Sequence, residues 1–83
     1  MSSEVEYYVI VAGQRGRAGG LARRTFDPAG PVDETLRRDL TWQPDSAIVE
    51  WEYGDLTTEL VRISEHEAMN LTQAFRSRWG RPR

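Results

Sequence analysis

The sequence predicts an α+β fold: a small, mostly antiparallel sheet of three or four strands, a C-terminal helix packed on one face, and a second, short helix. Three observations carry that expectation. Val5, Tyr7, Val9 and Val11 alternate with Glu6, Tyr8 and Ile10, the period-two pattern of a strand. Ala68, Leu71, Phe75 and Trp79 recur at three- and four-residue steps, the stripe of a helix that must cover a surface. Between them, Asp27-Pro28-Ala29-Gly30-Pro31 is the strongest turn signal in the chain.

The first strand is expected over residues 4–12. One of its faces is wholly apolar and the other becomes so, which suits a strand with neighbours on both sides. GQRGRAGG follows, and its four glycines read as a long hairpin connection. A second strand over 21–26 runs back to the Asp27–Pro31 turn. Residues 32–42 carry two patterns. Val32, Leu36 and Leu40 have helical spacing, whereas Leu36, Leu40 and Trp42 have strand parity. Thr41, Trp42 and the extended backbone required before Pro44 favour a third strand, placed at 35–42. Residues 44–53 also carry two. Val49, Trp51 and Tyr53 alternate as in a strand, but Ala47, Ile48 and Trp51 form a helical stripe and Gly54 stands where a helix ends; the short helix is preferred. A short strand over 59–63 puts Val61 and Ile63 on one face. It leads into Ser64-x-x-Glu67, the spacing of a capping box. Glu65 and Glu67 lie at the positive end of the closing helix, Arg76 and Arg78 at its negative end, and Gly80 and Pro82 stop it.

Length and composition bound the rest. Eighty-three residues make one domain, 1–83, with residues 1–3 and 80–83 expected to be disordered tails. The chain contains no cysteine, which removes disulfides, thiolate metal sites and cysteine nucleophiles. A secreted domain so small is usually disulfide-stapled, so a reducing, cytoplasmic setting is expected. No apolar run approaches the roughly 20 residues of a membrane helix, and no basic-then-apolar leader opens the chain. The net charge of −2 is unevenly spread. Residues 14–24 hold four arginines and no acid, 45–67 hold seven acids and one arginine, and 76–83 hold four arginines. Every basic residue is arginine, first a sign of a GC-rich genome and only second of phosphate recognition.

No motif in the chain specifies catalysis. Gly13, Gly16, Gly19 and Gly20 match neither the G-x-x-x-x-G-K-S/T nor the G-x-G-x-x-G phosphate loop, and a strand, not a helix, is expected after them. His66-Glu67 opens like the zinc-binding H-E-x-x-H helix, but Asn70 stands in place of the second histidine. Ser46 and Ser64 read as helix caps, outside any G-x-S-x-G elbow. Paired carboxylates would need a dry pocket that a domain of this size has little room for, so Glu50, Glu52 and Asp55 read as an acidic surface around Trp51. The Asn70-Leu71-Thr72 sequon lies within the helix pattern and carries no weight. No catalytic, cofactor or metal residue is therefore expected, and no cofactor.

Two binding readings remain. Arg15 and Arg17 in the glycine loop, with Arg23 and Arg24 beyond it, could meet phosphates, with Tyr7, Tyr8 or Phe26 stacking on bases. Strand alternation, however, points Arg23 and Arg24 to opposite faces, and the chain is slightly acidic, where nucleic-acid modules are more often basic. The other reading is a protein contact. Trp42 and Trp51 are expected in the core, while Trp79, beside Arg76 and Arg78, is expected to be partly exposed and could anchor a partner protein or a homodimer.

Asp39-Leu40-Thr41-Trp42, Pro44, Gly54-Asp55-Leu56, Val61-Arg62-Ile63-Ser64 and Glu67-Ala68 together give most of the chain a pattern that resembles a family of small actinobacterial proteins of unassigned function. The opening strand and the arginine-bearing strand at 21–25 fit it too. The resemblance implies a compact α+β domain from a high-GC actinomycete and brings no site residue with it. The expectation is thus a non-catalytic interaction module, binding another protein or itself, with nucleic-acid binding as the alternative and no membrane contact.

Overall fold

The computed structural model describes residues 4–12, 17–54 and 59–79. The elements run in the order β1 (Glu4–Ala12), β2 (Arg17–Asp27), β3 (Gly30–Leu36), β4 (Trp42–Pro44), α1 (Ala47–Glu52), β5 (Glu59–Ile63) and α2 (Glu65–Trp79). The fold is α+β, as expected, but the sheet has five strands rather than three or four, in the order β4-β3-β2-β1-β5. Every pairing is antiparallel.

The extra strand comes from residues 30–44. The expected single strand at 35–42 is instead the end of β3, a turn, and the first residue of β4. Arg37 N–H donates to the Thr41 carbonyl at 2.9 Å and Leu40 N–H to the Arg37 carbonyl at 2.8 Å, which closes the turn. Leu40 sits in it at φ +67°, a conformation a leucine side chain disfavours. Asp39 holds the turn from inside: its Oδ1 accepts from the Thr41 hydroxyl at 2.6 Å and from the Thr41 N–H at 3.1 Å. Those two bonds, the hydroxyl first, keep the Asp39 carboxyl below its usual pKa.

β2 also begins earlier than expected. It runs through Gly19 and Gly20: Gly20 pairs with Ile10 and Ala18 with Val11, so Gly19 is the unpaired extra residue at a register shift between Ile10 and Val11. Glycine weakens a strand by itself, so here the pairing with β1 imposes the extended form. The hairpin connection at 13–16 and both expected tails lie outside the described residues.

The sheet separates two apolar clusters. On one face, Tyr8, Ala22, Leu60 and Ile48 pack together, with Ile10 and Trp51 against them. On the other, Leu21, Leu36 and Phe75 form the centre, with Val9, Leu40, Trp42, Ile63, Leu71 and Trp79 around them. Leu21 and Ala22, adjacent in β2, are both fully buried, one in each cluster. The short helix is confirmed. Ile48 is its buried residue, Val49 points outward, and Gly54 takes φ +78° just past its end. Asp45 starts it: Oδ1 accepts the Ala47 N–H at 2.8 Å, and Oδ2 meets the Thr35 hydroxyl at 3.3 Å and Arg37 at 3.2 Å. Pro44, expected in the first turn of this helix, belongs to β4.

The capping box of α2 is formed as its spacing predicts. Glu67 N–H donates to Ser64 Oγ at 3.1 Å, and Ser64 N–H donates to Glu67 Oε1 at 3.4 Å. Ala68 and Phe75 are its buried residues, and Trp79 stacks flat on Phe75 with ring centroids 4.4 Å apart. None of the three tryptophans is fully buried; Trp42 and Trp51, expected in the core, are partly buried against its two clusters, as is Trp79.

Candidate functional site

The arginines singled out in the sequence go to different places. Arg15 lies outside the described residues; Arg17 opens β2, but its side chain lies outside them too. Arg23 and Arg24 take opposite faces of the sheet, as alternation requires. Arg24 lies between two carboxylates. Its Nε and Nη2 donate to Asp33 at 2.7 and 3.0 Å, and its Nη1 and Nη2 donate to Glu52, both at 3.0 Å. The bonds to Asp33, then those to Glu52, hold its pKa well above the ordinary guanidinium value. Through Asp33 on β3 and Glu52 on α1, this one side chain fastens the short helix to the sheet. Nearby, the Tyr8 hydroxyl donates to Glu6 at 2.9 Å; burial, then that bond, raises the Tyr8 pKa.

Arg23 has a different setting. Nε and Nη2 both reach Glu34 Oε1 at 2.9 Å, and the guanidinium carbon lies 4.2 Å above the Trp42 ring. Trp42 meets Tyr7 edge-on, with centroids 6.5 Å apart and planes at 61°. The glutamate holds the guanidinium over the ring, so Tyr7, Arg23 and Trp42 make a floor contributed by β1, β2 and β4.

One stripe of α2 walls that floor. Ala68, Met69, Thr72, Gln73 and Arg76 fall at i, i+1, i+4, i+5 and i+8, and with Tyr7, Arg23 and Trp42 they line an open cleft of about 290 Å³. Small-molecule and cofactor pockets usually span roughly 300–1,000 Å³. This cleft is at the lower limit of that range. Its lining is apolar at Met69, aromatic at Tyr7 and Trp42, and cationic at Arg23 and Arg76. Among the described residues, Arg76 has no carboxylate partner, whereas Arg23 has Glu34. The Thr72 hydroxyl is spent on the Ala68 carbonyl at 2.7 Å. The arrangement offers a cation, an amide and π faces to a ligand.

The second set of sequence candidates divides around this cleft. Arg76 is part of it. Trp79 lies a turn further on, half-buried on Phe75, with Arg38 5.8 Å above its ring, and Arg78 lies 5.8 Å from the Phe75 ring. The sequence reading missed the floor, because Tyr7, Arg23 and Trp42 meet only through strand pairing. The available signal was local: Met69, Gln73 and Arg76 flank the apolar stripe at helical spacing. His66 is exposed in the first turn of α2. Among the described residues no three His, Asp or Glu side chains cluster as a metal site, and no helix is long and apolar enough to cross a membrane.

No family model matches the chain, and no curated protein or solved structure matches it.

Proposed function

We propose that this chain is a non-catalytic protein-binding module of the cytoplasm, and that its cleft takes an acidic segment carrying an apolar or aromatic side chain. The supporting observation is the pairing, in one small cleft, of Arg76, which has no carboxylate partner among the described residues, with an aromatic floor and the 59 % exposed Met69. An acidic side chain gains most from a cation beside a low-dielectric wall, and an aromatic ring gains from Trp42 and Met69. Nucleic acid is the less favoured occupant. The Arg24 guanidinium is engaged on both sides by Asp33 and Glu52, and Arg23 would have to exchange Glu34 for a phosphate.

A chemical-shift titration of labelled protein tests this. The probe is a six-residue capped peptide with glutamates around one tyrosine, run beside the same peptide with lysines for glutamates. The acidic peptide should shift the Trp42 indole, Met69 and Gln73, and Arg76→Glu should abolish the effect. Equal shifts from both peptides, or none at the cleft, would refute the assignment. A duplex or single-stranded oligonucleotide that shifts β2 instead, with steep salt dependence, would transfer the function to nucleic acid.

A further inference from the structure

The chain itself carries a segment with the chemistry the cleft accepts. Tyr53 is 79 % exposed, the most exposed of the large hydrophobic side chains described. Val49, 37 % exposed, precedes it by four residues and so shares its side of the short helix. Glu50 is exposed beside them and, among the described residues, accepts only from the Ser46 hydroxyl, at 2.9 Å. Glu52, by contrast, is committed to Arg24. The end of α1 therefore presents an aromatic ring, a branched apolar side chain and one available carboxylate. The cleft presents two rings, a methionine and one available guanidinium. Opposite charge and matching apolar surface meet at both sites.

The two sites cannot meet within one molecule. α1 packs on the Tyr8–Ala22 face of the sheet, the cleft opens on the Leu21–Phe75 face, and the sheet stands between them. Resting on the binding reading above, we infer that the occupant of the cleft is the Val49–Glu50–Tyr53 corner of a second copy of this chain. The contact is head-to-tail. Each copy uses one surface to give and another to receive, so each bound pair leaves one cleft and one corner available. Such a contact builds rings or open chains rather than a closed dimer. A contact of this size binds weakly, so association belongs at roughly 10 µM to 1 mM.

Sedimentation velocity across that range decides it, because a head-to-tail contact can be split between two damaged copies. Arg76→Glu spoils the cleft and leaves the corner; Tyr53→Ser with Glu50→Gln spoils the corner and leaves the cleft. All three positions are exposed, and an amide spectrum of each variant shows that the fold is kept. Wild-type mass should rise with concentration past that of a dimer, and each variant alone should bind itself at least about tenfold more weakly. An equimolar mixture should form a dimer and nothing larger, through the one intact cleft and the one intact corner. A wild type that stays monomeric, a variant that still assembles alone, or a mixture that fails to pair would overturn the proposal. The peptide titration separates the two ideas: shifts at Trp42 and Met69 in a protein that stays monomeric remove self-docking and keep the cleft, whereas silence in both experiments removes both.

Discussion

Replacing Arg24 with alanine should be among the most damaging single changes to this protein, and the structure indicates how damaging. Arg24 and Asp33 each keep 13 % of their side chain exposed, whereas Glu52 keeps 46 %. The two arms of the bridge are therefore unequal. On the Asp33 side both charges are largely out of water, held by bonds of 2.7 and 3.0 Å. Removing one partner of such a pair strands the other and costs about 3 kcal/mol, the low end for buried pairs because some water still reaches this one. The Glu52 side is close to a surface bridge and contributes about 0.5–1 kcal/mol once solvent screening is allowed for. Arg24→Ala should thus cost about 3–4 kcal/mol. A chain of 83 residues has roughly 4–12 kcal/mol of stability in total, so the variant should lose roughly a quarter of it or more. Urea melts followed by tryptophan fluorescence should show it, together with a Tm lowered by roughly 12 °C or more. The companion variants give the internal check. Asp33→Asn should cost about 2–3 kcal/mol, Glu52→Gln less than about 1 kcal/mol. Arg24→Met with Asp33→Leu, which removes both charges and keeps the volume, should recover most of the loss. If Glu52→Gln costs as much as Asp33→Asn, or Arg24→Ala costs under about 1 kcal/mol, the account of which arm holds α1 is wrong.

Four other outcomes follow from the geometry. Tyr8 ionises above its ordinary value of 10.0 in the fold. The unfolded chain therefore releases its proton first, so stability should be level below about pH 10 and fall as pH rises beyond it; Tyr8→Phe should flatten that fall in urea midpoints measured between about pH 8 and 11. Ser64→Ala breaks the capping box and should cost about 1 kcal/mol, read from the same melts, with amide exchange speeding first at Glu67. Gly54→Ala forces a side chain into φ +78° and should cost about 1–2 kcal/mol. Gly20→Ala should instead be neutral or stabilising by about 0.5 kcal/mol, since its Cβ would meet only Ile10 Cδ1, at 3.5 Å.

What the sequence revealed and what it hid follow from how far apart the determining residues lie. The capping box needs Ser64 and Glu67 alone, so its spacing sufficed. The short helix likewise declared itself through Ile48, Trp51 and Gly54. The region around Leu36 to Trp42 misled because its turn depends on Leu40 adopting a left-handed conformation, which leucine does not advertise, while Leu36, Leu40 and Trp42 keep strand parity across it. The start of β2 was hidden because its glycines carry no strand signal; only β1 makes them extended. The cleft was the least legible feature. Its floor is assembled from three strands, and the use of Glu34 to pin Arg23 over Trp42 exists only once β2 and β3 have paired. The partnering of Arg24 with Glu52 across 28 positions was equally out of reach.

The order β4-β3-β2-β1-β5 also has a consequence in time. The first four strands each pair with their sequence neighbour, so they can zip together by closing short loops. β5 is different: the chain must leave the β4 edge, pass over one face as α1, and reach the opposite edge beside β1. The meander can therefore form before β5 and α2 have docked. During that interval Leu21 and Leu36 lack the Phe75 that later covers them, and the edge of β1 offers bare backbone from Tyr7 to Val11. That edge pairs with any extended strand it meets. The folding chain is thus most prone to aggregation while only the meander has formed, and β5 and α2 end that exposure by occupying the edge and the face together.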